Sequence, residues 1–318
     1  MSGHMMKAVR CAHGEAHLVE VERPTGEGVR VKIAAAGICG SDLHLISSGF
    51  PVTATFGHEI SGVTENGTPV AIEPIAACGV CPACKAGAYN HCALGMFAAT
   101  FGVGRDGGMA EEMIVPARCL VPLPSGLPLA DACLAEPLAV AVHGVAMVDV
   151  QPGDRVAVVG GGTIGLCAVA VAREITSDVA LLARHDAQRE AGERLGAVAG
   201  TNGDYDVVFD CAGTTESAAE SVRLCRPRGR LQMLATYWEG LTLPAFEISG
   251  KELQLFSSSS YARNGAARDI EIAAAILARN PAIGPALITH RMPLDAAEDA
   301  FRVARNRAAG AIKVVLEP

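Results

Sequence analysis

Cys78, Cys81, Cys84 and Cys92 fall at steps of three, three and eight residues in the run CGVCPACKAGAYNHC. Four thiolates on so short a lobe can close a tetrahedral shell around Zn²⁺, and an all-sulfur shell leaves no position for a substrate. Such a metal is structural. A second group of ligand types, Cys39, His58, Glu59 and Glu136, is strung along the chain. A thiolate, an imidazole and carboxylate oxygens also suit Zn²⁺, in the mixed sets that open, reactive sites use. Asp42 is the candidate acceptor for the second N–H of a metal-bound histidine. Singly, these residues have ordinary readings: Cys39 as a small buried hydrophobe, His58 as a hydrogen-bonded loop or core residue, Glu136 as a charge at a helix N-terminus. Disulfides are the ordinary reading of the cysteine run. They belong mainly to short secreted chains, whereas this chain has 318 residues and an odd 11 cysteines. With no secretory leader expected, the setting read from the cysteines is reducing and cytoplasmic.

A further piece of chemistry lies in VAVVGGGTIG, where Gly160, Gly162 and Gly165 form G-x-G-x-x-G. A lone triplet is weak, but this one follows a strand pattern and opens a helix. The first glycine permits a tight turn and the second admits a pyrophosphate. The third lets helix and strand pack, and the helix N-terminus attracts the phosphates. An acidic residue ending the next strand would bind the adenosine ribose diol. In DVALLARHDAQRE that end holds Ala183, followed by Arg184 and His185. Alanine brings no carboxylate to repel a 2′-phosphate, and Arg184 can pair with one in bidentate fashion. NADP is therefore expected, with NAD the alternative if Asp186 takes the acidic role.

The elements that must position these groups change character along the chain. MKAVRCA, HLVEVERP, VRVKIAAAG, TPVAIEP and DGGMAEEMIVPARCLVPLP read as short strands with glycine-rich turns. LADACLAEPLAVAVHGVAMV reads as a helix pair. From VAVVGGG to ELQLFSSSS and RDIEIAAAILARN, strand and helix patterns alternate, which implies a doubly wound parallel sheet. The final ALITHRMPLDAAEDAFRVARNRAAGAIKVVLEP reads strand, helix, strand and is expected to return to the first lobe. The fold class is thus α/β, with a β-rich catalytic lobe over 6–144, its return over 287–318, and a Rossmann domain over 145–286. Met1–Met5 (MSGHM) is set aside as an appended segment, and His4 with it. His143 and His290 are read as structural.

Apolar residues make up 50% of the chain and aromatics only 4%, so Ala, Val, Leu and Ile must fill most of the core. The formal net charge of −8 argues against a nucleic-acid partner, which needs clustered Lys and Arg. No apolar run approaches the roughly 18 residues that span a bilayer, so no membrane partner is expected.

The strings GICGSDLH, GHEISG, CGVCPACKAGAYNHC, DGGMAEEMIVP, EPLAVAVHG, VVGGGTIGL, FDCAG and IKVVLEP occur in order over nearly the whole chain. In this it resembles the zinc-dependent medium-chain alcohol dehydrogenases, the group of sorbitol, threonine and other polyol dehydrogenases. The resemblance implies a GroES-like catalytic domain. It makes Cys39 and His58 ligands of a catalytic zinc, with Glu59 and Glu136 at or beside it. The four-cysteine lobe would hold a second, structural zinc, and Ser41 and His44 would form a proton relay. Cofactor contacts would come from Gly160, Gly162, Thr163, Ile164 and Gly165, from Arg184, His185 and Arg189, and from Cys211, Ala212 and Ala235. Oxidation of a secondary alcohol or polyol, or reduction of the matching ketone, is the implied reaction. Ser41, Phe50, Phe56, Phe97, Glu136 and Tyr237 or Trp238 are candidate pocket residues, with Phe50 and Phe56 reading equally as ordinary core residues. A homodimer or homotetramer is implied, and ELQLFSSSS offers an apolar edge for it. One departure is VTENGTPV between ISG and AIEP, shorter than the family's usual stretch. The rival readings are a zinc-free quinone or enone reductase of the same superfamily and a non-enzymatic nucleotide-binding redox sensor.

Overall fold

The computed structural model describes residues 4–318. Met1, Ser2 and Gly3 of the leading segment lie outside them. Met5, set aside with that segment, instead opens the first strand and pairs with Glu22. The hairpin β1 (Met5–Ala12) and β2 (Glu15–Glu22) is followed by β3 (Val29–Gly37) and a short helix α1 (Gly40–Ser47). Then come β4 (Glu59–Thr64) and β5 (Pro69–Ile72), joined by the turn within the shortened VTENGTPV stretch. The cysteine lobe carries one-turn helices α2 (Pro82–Lys85) and α3 (Met96–Ala99), and β6 (Glu112–Val115) and β7 (Leu120–Pro122) complete the strand-rich half.

The expected helix pair is one helix, α4 (Ala135–Met147), entered through a 3-10 turn at Ala132–Leu134. Its Ala-rich sequence is buried on nearly every side, so a single continuous rod meets the core without a break. Beyond it the alternation is regular. The strands are β8 (Val156–Val159), β9 (Val179–Leu182), β10 (Val198–Ala199), β11 (Tyr205–Asp210), β12 (Cys225–Met233) and β13 (Gln254–Ser257). The intervening helices are α5 (Thr163–Arg173), α6 (Asp186–Arg194), α7 (Thr215–Leu224) and α8 (Ala245–Gly250). The sheet order is β10-β9-β8-β11-β12-β13, all parallel. The order reverses between β8 and β11, the place where such sheets bind ligands at their carboxyl ends.

A small hairpin, β14 (Arg263–Asn264) with β15 (Ala267–Arg268), leads to α9 (Asp269–Arg279) and α10 (Ile283–Leu287). The chain closes with β16 (Ile288–Pro293), α11 (Ala297–Arg305) and β17 (Lys313–Glu317). These last two strands join the first half, in a sheet ordered β16-β17-β3-β4-β5-β7 with β6 also on β3. β3 is therefore flanked by strands from both ends of the chain, which sets up the site below. The largest apolar cluster runs from Ala71 and Leu134 through α4 and α5 to Ile283, so the two halves share a continuous core.

Candidate active site

Register explains how distant residues meet. β3 and β4 are antiparallel with Gly37 opposite Glu59. Cys39, just past the end of β3, thereby comes to His58, just before β4. One ligand atom from each of Cys39, His58 and Glu59 lies within 4.8 Å of the others. A side chain at Gly37 would collide with the Glu59 carboxylate, so glycine is required there. Glu136, the second residue of α4, is buried nearby but stands outside that cluster among the described residues.

Lys313, which sequence reading missed, opens β17 on the other side of β3. Its ammonium lies 2.6 Å from Glu59 Oε1 and 2.8 Å from the Ile38 carbonyl, and both partners of the ion pair are buried. Burial works against the charge on Lys313, yet Glu59 and Cys39 outweigh it and hold its pKa above the ordinary lysine value. Burial, joined by Glu59, pushes the Glu136 carboxyl up to about 7 against the pull of His58 and Lys313. Tyr261, fully buried, faces Glu136 with its hydroxyl unpartnered.

The orphaned atoms test the metal. Glu59 Oε2, His58 Nδ1 and Asp42 Oδ1 are all buried without a hydrogen-bond partner. Asp42 Oδ1 stands 3.5 Å from His58 Nδ1, while Asp42 Oδ2 accepts from the Cys39 N–H at 2.9 Å. Burial opposes charge on His58, but Asp42 and Cys39 carry its pKa well above the ordinary value. A cluster of sulfur, nitrogen and oxygen with an unpaired carboxylate oxygen fits a divalent cation of the zinc type.

Ser41 and His44 sit three apart on α1 and so share a face. Ser41 Oγ is 3.4 Å from His58 Nε2, which sets the hydroxyl beside the Cys39–His58–Glu59 cluster. The His44 ring stacks on Trp238, with centroids 3.9 Å apart and planes at 23°. Trp238 belongs to the loop after β12, so α1 abuts the carboxyl end of the parallel sheet. Phe50 and Phe97 stack at 5.5 Å, are 43% and 52% exposed, and form an open rim. Phe56 is instead a core residue, with no exposed surface and its ring 5.9 Å from Phe301. The Tyr237 hydroxyl donates to Asp210 Oδ2 at 2.8 Å.

The four cysteines of the second lobe also converge, their sulfurs within 4.8 Å of one another. The Cys78 and Cys81 amides donate to Cys92 Sγ and Cys78 Sγ at 3.3 and 3.4 Å. Backbone donors from Ala93 and Cys84 lower the Cys81 thiol to about 6, and burial raises that of Cys84 to about 12. The Cys78 and Cys84 sulfurs are 3.9 Å apart, close to the separation of about 3.8 Å that tetrahedral Zn–S bonds of 2.3 Å require. All eleven cysteines are free of disulfides.

At the nucleotide turn, Gly160 takes φ +104°, and a Cβ there would come within 2.9 Å of the Ala212 nitrogen. A Cβ at Gly165 would strike the Gly160 carbonyl, whereas Gly162 faces open space. Ile164 follows Thr163 on the first turn of α5, but the Thr163 hydroxyl donates to the Ile312 carbonyl at 3.1 Å, tying α5 to the segment before β17. Cys211 and Ala212 follow the end of β11, and Ala235 follows the end of β12. Buried Asp210 braces that turn, its Oδ1 accepting from the Ala212 and Gly213 amides at 3.0 and 3.3 Å. Arg184 is exposed beyond β9 and His185 caps α6. Arg189 bonds the Ala183 and Arg184 carbonyls at 2.9 and 3.0 Å and pairs with Asp186, so it shapes this loop. His143, for which the sequence offered no partner, bonds Asp269 at 2.8 Å from 126 residues away.

The description "Alcohol dehydrogenase GroES-like domain" matches residues 25–125 and "Zinc-binding dehydrogenase" matches residues 163–277. The chain belongs to the zinc-dependent medium-chain alcohol dehydrogenases. It is 30% identical to 2-dehydro-3-deoxy-L-galactonate 5-dehydrogenase of Pseudoalteromonas atlantica, over 75% of this chain and 77% of that one. It is also 30% identical to galactitol 1-phosphate 5-dehydrogenase of Escherichia coli K12, over 91% and 92%. A structure described as a zinc-binding dehydrogenase of Sinorhizobium meliloti 1021 bound to NADP superposes with TM-score 0.87 at 32% identity, covering 99% of both chains. An Escherichia coli CFT073 alcohol dehydrogenase complexed with NADH gives TM-score 0.88 at 29% identity, covering 99% and 100%. This dehydrogenase is accordingly an oxidoreductase that moves hydride between an alcohol and a nicotinamide cofactor. Among the described residues no helix is long and apolar enough to cross a membrane.

Proposed function

We propose that this dehydrogenase oxidises a secondary hydroxyl of an open-chain polyol or related sugar derivative, or reduces the matching ketone, with NADP(H) preferred. The observation that carries the reading is the convergence of Cys39, His58 and Glu59 within 4.8 Å, beside the α1 face bearing Ser41 and His44. The two sugar-acid and polyol-phosphate relatives point to the substrate class.

Cys39, His58 and Glu59 would hold the catalytic zinc, with Glu136 behind them, and Cys78, Cys81, Cys84 and Cys92 the structural one. Bound at the first site, zinc supplies Lewis acidity, which lowers the pKa of a hydroxyl. The chain's own task is the proton. Ser41 Oγ accepts it from the substrate oxygen by hydrogen bond, and His44, on the same helix face and half-buried, passes it towards solvent. Lys313 holds one Glu59 oxygen, so that the other points to the ligand cluster. Asp42 orients His58 from behind. The carboxyl ends of β8, β11 and β12 present the nucleotide turn, and exposed Arg184 is free to pair with a 2′-phosphate. The catalytic half is taken as 6–144 with 287–318, and the nucleotide half as 145–286. Eleven unpaired cysteines agree with a reducing cytoplasmic setting. The open edge of β13, with Leu255 42% exposed, agrees with a homodimer or homotetramer.

The test is a panel of polyols and secondary alcohols with both cofactors, together with metal analysis. Two zinc ions per chain and a higher kcat/KM with NADP⁺ are expected. Arg184→Ala should raise KM for NADP⁺ by about 10-fold, the loss of a charge-assisted hydrogen-bond pair, and leave NAD⁺ almost unchanged. A higher kcat/KM with NAD⁺, or no turnover of any polyol, would refute the assignment.

A further inference from the structure

The His44–Trp238 stack joins the two halves of the molecule at the proton relay. The His44 imidazole comes from α1 of the strand-rich half, and the Trp238 indole from the loop between β12 and α8. Centroids 3.9 Å apart and planes only 23° from parallel are a stacked pair. The loop that carries Trp238 is braced one residue earlier, where the Tyr237 hydroxyl donates to Asp210 Oδ2 at 2.8 Å. The other oxygen of the same carboxylate holds the amides of Ala212 and Gly213, in the turn that faces the cofactor end of the sheet. Asp210 is fully buried and Ser217 also donates to its Oδ2 at 3.0 Å, so the brace is rigid. A continuous path thus runs from the cofactor turn through Asp210 and Tyr237 to Trp238 and the His44 ring.

We propose that Trp238 is a positioning residue for the relay: its indole fixes the plane of His44. This rests on the reading of His44 as the group that passes the proton on. An imidazole free to rotate about its side-chain bonds spends little time aligned with the relay. An aromatic face against it removes that freedom, at a site where no charge or metal ligand is needed from the tryptophan itself. Trp238 remains 44% exposed, which leaves one ring edge of the pair open towards water, where the proton must leave.

The chain has a single tryptophan, so its emission reports this stack directly. Five zinc-loaded proteins are compared: wild type, His44→Ala, Trp238→Phe, Trp238→Ala and His44→Ala/Trp238→Ala, the last completing the cycle. Kinetics use NADP⁺ and the polyol that turns over best in the panel above. Removing the His44 ring should shift the tryptophan emission to the red and reduce its protection from iodide. Trp238→Ala should lower kcat roughly 3- to 10-fold, the worth of an aromatic pair, with KM for NADP⁺ and zinc content unchanged. Trp238→Phe should restore most of that loss, and in the His44→Ala background Trp238→Ala should cost nothing more. Losses that multiply in the double variant, or emission indifferent to His44, would overturn the proposal. If His44→Ala kept full kcat, the relay reading would fall and the positioning role with it, while the emission change would still register the contact. The emission arm needs no tryptophan substitution, so it stands even where Trp238→Ala fails to fold.

Discussion

Lys313→Met is the sharpest test of how the metal cluster is held. The wild-type ammonium and Glu59 lie 2.6 Å apart, with side chains only 2% and 1% exposed. Methionine keeps most of the volume but strands a buried carboxylate. Breaking one partner of a buried pair costs roughly 3–5 kcal/mol, because the remaining charge is neither solvated nor paired. Part of that cost is relieved if Glu59 takes up a proton, so the upper figure is a ceiling. An unfolding entropy of about 2.1 cal/mol/K per residue over 318 residues gives about 0.67 kcal/mol/K, so the melting point should fall by about 4.5–7.5 °C. Calorimetry of chelator-treated protein at one scan rate is the assay. Zinc saturation should shrink the loss, since a cation at Glu59 Oε2 then balances the carboxylate. Glu59→Gln/Lys313→Met should recover at least half of it, because no charge is left buried alone. The sign of the pH dependence follows from Lys313 having a folded pKa above 10.5. The ammonium's contribution is fully present below that pH and is lost as pH rises through the folded value, so wild type should keep it across the whole neutral range. A melting point within 1 °C of wild type in the metal-free protein (under about 0.7 kcal/mol on the same scale) would show that Glu59 is not charged or not dry, and the reasoning would fail.

Two other perturbations address the same cluster. Gly37→Ala places a Cβ against the Glu59 carboxylate, so zinc affinity of the catalytic site should fall about 10- to 100-fold, as when a ligand loses its proper support; metal analysis should then find the structural zinc retained and the other lost after dialysis, and two tightly held ions would contradict the geometry. Glu136→Gln tests the raised carboxyl, whose folded pKa of about 7 exceeds its ordinary 4.5. Such a group favours the folded state most below pH 4.5, and that advantage is lost as pH rises through about 7. Glutamine mimics the protonated acid, so chelator-treated Glu136→Gln should gain stability over wild type between those limits and hold the gain above them, whereas a gap independent of pH would rule out a buried carboxylate near neutrality.

The parts of this dehydrogenase that were legible in its sequence are those whose physics is local. Cys78 to Cys92 converge because a few residues of chain can hardly place them elsewhere, and the glycine turn announces itself by the strand before it and the helix after it. Alternating β and α patterns sufficed for the parallel sheet. The illegible parts depend on contacts between distant segments. Lys313 lies 254 residues from Glu59 in sequence, and on its own a lysine opening a strand reads as a surface residue. His143 looked partnerless because Asp269 is 126 residues away. Phe56 passed for a pocket residue because nothing local to it reveals Phe301, and Tyr237 because its partner Asp210 ends another strand. All of these contacts become visible once register is known, and register is a property of pairs of strands rather than of either one.

That dependence explains why the Cys39–His58–Glu59 cluster sits where it does. β3 carries none of the three within its own length, yet it governs all of them. Its end releases Cys39 into α1, its pairing with β4 brings His58 and Glu59 alongside, and its pairing with β17 brings Lys313 from the far end of the chain. Lys313 follows directly on Ile312, whose carbonyl accepts from Thr163 at the head of the nucleotide helix. The support for Glu59 and the anchor of α5 are therefore consecutive residues on one strand entry. A shift of α5 relative to the strand-rich half would pull on the backbone that aims the Lys313 ammonium, so the Cys39–His58–Glu59 cluster and the glycine turn share a mechanical part.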